Sequence, residues 1–199
     1  MTFIKVCGLR NAESVDAALG RGVDAIGFVF ADSVRHIDAD DAAPLIQRII
    51  DSGKATEPIG VFKGNPTEEI LDIAKRTGLR TVQVHDLTGP EHVQQLRDAG
   101  LTVIRAIVAG DTTGTFGADR LLVDGTVAGS GDTWDWSSIT APTGEWILAG
   151  GLDLHNVADA LAATGAAGVD VSSGVESTRG VKDSALIEQF IDAVRAVGR

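Results

Sequence analysis

Two hydrophobic periods alternate along this chain. Short runs rich in β-branched residues, read as strands, are FIKVC (3–7), AIGFVF (25–30), PIGVF (58–62), TVQVH (81–85), TVIRAI (102–107), RLLVD (120–124), EWILAG (145–150) and GVDVSS (168–173). Between them lie stretches whose apolar residues recur every three or four positions, the period of a helix with one buried face. These span 11–22, 39–53, 66–78, 89–100, 153–165 and 183–198. Several end in glycine, as helix C-termini do. Asn11 and Asp153 are candidate N-caps, and Pro66 suits a first helical turn. The segments 108–119 and 125–144 carry no strong helical pattern.

Strands with near-continuous apolar character, joined by helices, belong to parallel sheets covered on both faces. Eight such strands predict an α/β fold, a single-domain (β/α)8 TIM barrel over residues 1–199. An open doubly wound sheet is the alternative. A barrel confines function to the C-terminal strand ends and the loops that follow them. The positions that matter are then Cys7, 30–35, 62–65, His85, Asp124, Gly150 with Gly151, and 172–174.

Composition narrows the chemistry. A formal net charge of −11 opposes binding to nucleic acid or an anionic membrane. One cysteine excludes an internal disulfide and a multi-cysteine zinc site, and the histidines do not form a metal-binding pair on one helix. The longest apolar run, AIGFVFA, is too short for a bilayer. A cytoplasmic chain is expected. No exposed apolar stripe stands out, so a monomer is expected too.

Each candidate residue has a structural reading beside a chemical one. Cys7 ends the first strand on the same side as Lys5, since side chains alternate along a strand. It is either a small buried apolar group or a thiol whose pKa Lys5 lowers. Asp124 ends an otherwise apolar strand, as a general acid or base or as a loop-capping carboxylate. Gln83 and His85 share a face, in the site or as a satisfied structural pair. Arg35 follows strand 2, where it could hold a carboxylate by two hydrogen bonds or be solvated. LAGGLDLHN (148–156) passes from strand through two glycines to a helix N-terminus, and DVSSGVES (170–177) ends a strand in Ser-Ser-Gly. Backbone N–H groups in such loops bind phosphate, and barrels place that site after strands 7 and 8.

In their order and spacing, KVCGLRNAESV, GVDAIGFVFADSVR, GVFKGNP, VQVHD, LLVDGTVAGSGDTWDW, LAGGLDLHNV and GVDVSSGVESTRGVKD resemble the phosphoribosylanthranilate isomerase family of tryptophan biosynthesis. The resemblance implies an Amadori rearrangement of N-(5'-phosphoribosyl)anthranilate to 1-(2-carboxyphenylamino)-1-deoxyribulose 5-phosphate. It implies Cys7 as general base, Asp124 as general acid, and Arg35 on the anthranilate carboxylate. Gln83, His85, Gly129 and Gly131 would line the substrate, and Gly150, Gly151, Ser172, Ser173 and Gly174 the phosphate. The implied partner is a small sugar phosphate, with no cofactor and no metal. Val34, Asp86, Ala128 and Arg179 depart from the family pattern without removing a catalytic group. A related isomerase of histidine biosynthesis, or a dual-substrate enzyme, would carry aspartate where Cys7 stands. A non-catalytic phosphate-binding barrel would not need Cys7 and Asp124 together.

Overall fold

The computed structural model describes residues 1–125, 136, 139 and 141–197. Eight parallel strands close into a barrel in sequence order: β1 (Phe3–Cys7), β2 (Ala25–Val29), β3 (Glu57–Phe62), β4 (Thr81–Val84), β5 (Thr102–Val108), β6 (Arg120–Asp124), β7 (Trp146–Leu148) and β8 (Gly168–Val171). Closure comes from β8 pairing with β1, which sets Lys5 opposite Asp170. Six helices are described: α1 (Ala12–Gly20), α2 (Ala39–Asp51), α3 (Thr67–Thr77), α4 (Pro90–Asp98), α5 (Val157–Thr164) and α6 (Ser184–Val197). The expected barrel is therefore present, and among the described residues no helix is long and apolar enough to cross a membrane.

Alternation along the strands makes two apolar layers. Ile4, Val6, Val82, Val103, Val123, Leu148 and Val169 belong to the larger core, between barrel and helices. Ala25, Val29, Ile59, Val61, Ile104, Leu122 and Ile147 form a second cluster, which fills the barrel itself. A strand buried on both faces must be apolar at nearly every position, which is why these runs read as continuous. Four of the buried polar strand residues, Lys5, Thr81, Gln83 and Asp170, fall on the inner face, and Arg105 on the outer one.

Local chemistry explains the shifts in element ends. Asn11 caps α1 as expected, its side chain accepting from the Ser14 N–H at 2.9 Å. Pro66 is itself the cap residue of α3 rather than part of its first turn. Asp153 does not cap α5. It exchanges side-chain and backbone hydrogen bonds with Asn156, folding a separate turn that delays the helix to Val157. β7 stops at Leu148 because Gly150 and Gly151 follow with φ of 89° and 67°, in the left-handed region that favours glycine.

The link from β5 to β6 has no helix, in line with its weak pattern. Arg105 stands in for one. Buried on the outer face of β5, it donates to Gly114 O, Asp111 and Thr113, and lies 3.9 Å from the Phe116 ring centroid. After β8 comes a feature absent from the sequence reading. A 3₁₀ turn (Ser173–Val175) leads into a hairpin of β9 (Glu176–Thr178) and β10 (Val181–Lys182).

Candidate active site

The strand ends surround a cavity of about 310 Å³ at the C-terminal mouth of the barrel. Cys7, Arg35, Gln83, His85 and Asp124 all line it, as do Gly150, Gly151, Ser172 and Ser173. Residues from β1, β2, β4, β6, β7 and β8 thus meet at one place, although the first and last are separated by most of the chain.

Cys7 is buried and extends the inward row begun by Lys5. Room for both comes from Gly27 on β2: a Cβ there would stand 2.8 Å from Cys7 Sγ and 3.2 Å from Lys5 Nζ. Lys5 is fully buried and donates to Asp170 Oδ2 at 2.7 Å. The expectation that Lys5 lowers the thiol pKa needs correction in its net result. Burial pushes the Cys7 thiol up, and the pull of Lys5, followed by that of Lys182, only partly offsets it. Asp170 holds Lys5 charged: its attraction and hydrogen bond outweigh the cost of burial and raise the lysine pKa.

Asp124 sits at the end of β6, sharing its face with Leu122, and its Oδ1 accepts from the Gly125 N–H at 2.8 Å. On β4, Gln83 Nε2 lies 3.0 Å from His85 Nε2. Burial, helped by Lys5 and Lys63, pushes the His85 pKa down to about 4, so the ring is neutral near pH 7 and can accept from the amide. Among the described residues, Gln83 Oε1 and Asp170 Oδ1 are buried without a hydrogen-bond partner.

Arg35 lines the cavity, but it is not a free guanidinium. Its Nε and Nη2 donate to Glu176 at 2.6 and 3.0 Å, a bidentate pair that leaves Nη1 without a hydrogen bond among the described residues. Its stem packs on Gly8, where a Cβ would come within 2.9 Å of Arg35 Cδ.

The two glycine loops differ from the sequence picture. The N–H groups of His155 and Asn156, which a helix-N-terminus reading would offer to phosphate, donate to Asp153. Gly150, Gly151 and Leu152 of that loop line the cavity, and none of their N–H groups has a hydrogen bond among the described residues. Gly174 does not line the cavity. It lies where the loops after β7 and β8 touch, and a Cβ there would overlap the Leu152 carbonyl oxygen. Gly129 and Gly131 lie outside the described residues.

Sequence reasoning missed Asp170, Glu176 and Lys182. A signal for the first was present, since Lys5 and Asp170 are opposite charges at inner positions of the first and last strands, which closure makes neighbours. Glu176 and Lys182 belong to the unforeseen hairpin and gave none. Among the described residues no cluster could hold a metal ion.

A family model described as N-(5'phosphoribosyl)anthranilate (PRA) isomerase matches residues 4–193. A curated N-(5'-phosphoribosyl)anthranilate isomerase from Beijerinckia indica is 40% identical, covering 97% of this chain and 94% of its own. A TrpF crystal structure from Jonesia denitrificans is 40% identical with a TM-score of 0.85, covering 100% of this chain and 98% of that one. A phosphoribosyl anthranilate isomerase solved with reduced 1-(o-carboxyphenylamino)-1-deoxyribulose 5-phosphate is 29% identical with a TM-score of 0.82, covering 98% and 100%. The likeness runs through every strand that supplies the cavity, and this chain belongs to the N-(5'-phosphoribosyl)anthranilate isomerase family.

Proposed function

We propose that this cavity isomerises N-(5'-phosphoribosyl)anthranilate by general acid–base catalysis, with Asp124 as acid and Cys7 as base. Asp124 protonates the furanose ring oxygen, and the ring opens to a Schiff base. Cys7 removes the proton from C2', and the resulting enolamine tautomerises to the aminoketose phosphate. The step needs two groups of different protonation at separated points of one mouth. β1 and β6 are separated by two intervening strands around the shorter way of the closed barrel, which suits that requirement. The observation that carries the reading is the joint presence of Cys7 and Asp124 in one cavity that Arg35, Gly150, Gly151, Ser172 and Ser173 also line.

The two ends fix the substrate. Arg35 takes the anthranilate carboxylate through the guanidinium edge left by Glu176. Gly150, Gly151 and the Ser172–Ser173 segment take the phosphate through backbone N–H groups, with Gly174 shaping the loop rather than lining the pocket. Gln83 and the neutral His85 present polar atoms between these ends. Anchoring both ends holds the reacting carbon between acid and base. The relative solved with a carboxyphenylamino sugar phosphate binds a ligand with the same two anionic ends, which supports a ligand of this class for the cavity.

The test is turnover of phosphoribosylanthranilate, followed by loss of anthranilate-type fluorescence. Cys7→Ser and Asp124→Asn are each expected to lower kcat by about 100- to 10,000-fold, the range for a positioned acid or base. Full activity in either variant removes that residue from its role, and no turnover by the unaltered protein overturns the reading.

A further inference from the structure

The hairpin after β8 joins the two ends of the cavity. Glu176 accepts four hydrogen bonds, two per oxygen: Oε1 from Arg35 Nε at 2.6 Å and Lys182 Nζ at 2.8 Å, Oε2 from Arg35 Nη2 at 3.0 Å and the Gly180 N–H at 2.9 Å. That fills the usual capacity of a carboxylate. Its side chain is 3% exposed and it does not line the cavity, so it has no lone pair left for a substrate. Lys182, equally buried, uses its other donors on Ser172, reaching O at 2.7 Å and Oγ at 3.2 Å. Ser172 Oγ in turn donates to the Cys7 carbonyl at 3.1 Å. A continuous chain of polar contacts therefore runs from Arg35 through Glu176, Lys182 and Ser172 to the end of β1.

Three further contacts hold the hairpin in place. Arg10 Nη2 donates to Gly180 O at 2.8 Å. Glu176 and Lys182 are cross-strand partners. Gly180, with φ of 85°, sits so close to the loop carrying Arg35 that a Cβ would be 3.1 Å from Val34 O. Arg35 and Lys182 are two cations that repel each other. The shared carboxylate lies directly between them and bonds both, at 2.6 Å to Arg35 Nε and 2.8 Å to Lys182 Nζ. Because one cation lines the carboxylate end and the other braces the phosphate segment, their separation sets the distance between the two anchors.

We propose that Glu176 is a positioning residue that fixes the spacing between the Arg35 anchor and the Ser172–Ser173 anchor, so that ligands bearing both anions are favoured over those bearing one. The inference rests on the roles given above to Arg35 and the Ser172 segment. It makes Glu176 the source of selectivity for substrate length without any contact to the substrate.

Glu176→Gln separates this from a simple charge effect. The variant makes the site more positive, so a purely electrostatic role predicts tighter anion binding. Loss of spacing predicts the opposite, because an amide presents a donor where the carboxylate accepts from Arg35 or Gly180. The probes are inorganic phosphate and the reduced carboxyphenylamino deoxyribulose phosphate, both read as competitive inhibitors, together with KM for the substrate. Lost charge-assisted hydrogen bonds correspond to about 10- to 100-fold in affinity. The two-ended inhibitor is expected to weaken by about that factor, KM to rise in parallel, kcat to change less, and phosphate inhibition to shift less than about threefold. Equal weakening of both inhibitors would mean that Glu176 only maintains the local fold, and tighter binding would mean that it only sets charge; either overturns the proposal. If the glutamine variant does not fold, Glu176→Asp decides: the shorter carboxylate cannot span all four donors, and wild-type discrimination between the inhibitors would refute the inference. Arg35→Gln tests the underlying roles separately. If it leaves the two-ended inhibitor unaffected, the reading of Arg35 fails; if it weakens that inhibitor while Glu176→Gln and Glu176→Asp do not, only the spacing inference fails.

Discussion

Two ion pairs inside this barrel have the same length and opposite consequences. Lys5 meets Asp170, and Arg120 meets Glu57, each at 2.7 Å between inward positions of the strands. At the N-terminal end of the barrel, the Glu57 oxygens are taken by Thr81 and Arg120, and the Arg120 guanidinium lies over the Phe3 ring at 5.2 Å. The side chains of that pair remain 39% and 28% exposed, so water competes for both. Lys5 and Asp170 are 0% and 9% exposed, and Asp170 Oδ1 has no partner among the described residues. One end closes on itself. The other leaves polar capacity facing a cavity. Distance does not separate a structural pair from a functional one; burial and unused hydrogen-bonding capacity do.

The largest expected difference is in stability. Lys5→Met leaves Asp170 buried without its counter-ion, and removing one partner of a buried pair costs about 3–5 kcal/mol. Denaturant titration measures it. A loss below about 1 kcal/mol would erase the distinction between the two ends. Next is Gly27→Ala, which drives a methyl against Cys7 Sγ and Lys5 Nζ, with a Cβ–Sγ separation of only 2.8 Å. Misplacing a reacting group by an ångström costs about 100-fold in rate, and kcat is expected to fall by about that much. Unchanged kcat would show that the packing of Cys7 against β2 does not position the thiol.

Much of this contrast was legible in the sequence. Alternation put Lys5 and Cys7 on one face, the strand count gave the closed barrel, and barrel geometry sent the search to the strand ends. Closure also made Lys5 and Asp170 neighbours, a step that follows from topology and is invisible in local pattern. The hairpin was illegible because β9 and β10 are only three and two residues long, too short for a period-2 signal, and one of their two pairs, Glu176 with Lys182, is charged. Glu176 therefore reads as an ordinary loop acid until its four donors are seen. Arg35 had the converse problem: its place near the mouth was readable, and its tether to a residue 141 positions later was not. Asp153 looked like a helix cap because cap preference is local, whereas its reciprocal bonds with Asn156 depend on the turn being formed.

A third test asks whether the buried end sets the pH response. An active pair with Asp124 protonated and Cys7 ionised holds one proton in total. Activity is then flat across the range where the pair holds one proton and falls when that proton is lost. A thiol is the later of the two to lose it, and burial raises Cys7 above its ordinary value of 9.0. The alkaline fall in kcat/KM is therefore expected above pH 9 and should move in Cys7→Ser. His85, pushed down to about 4, is expected to contribute no inflection between pH 5 and 8. An alkaline limb near pH 7 that persists in Cys7→Ser would detach the titration from the buried end.

The smallest effect belongs to the closed end. Arg120→Met removes the bond to Glu57 while keeping an apolar stem against Phe3. Partly exposed ion pairs contribute about 0.2–1 kcal/mol because solvent screens them and ordering two long side chains costs entropy. Denaturation is expected to shift by that amount, and kcat/KM to stay at the unaltered value, since Arg120 opens β6 at the end opposite Asp124. The informative comparison is with Lys5→Met in the same denaturant series. If burial is what divides the two pairs, the loss at Lys5 exceeds the loss at Arg120 severalfold although the two bonds are equally short. If the Arg120 variant instead lost turnover, the two ends of the barrel would be coupled through the strands, and stability and chemistry could not be assigned to opposite ends.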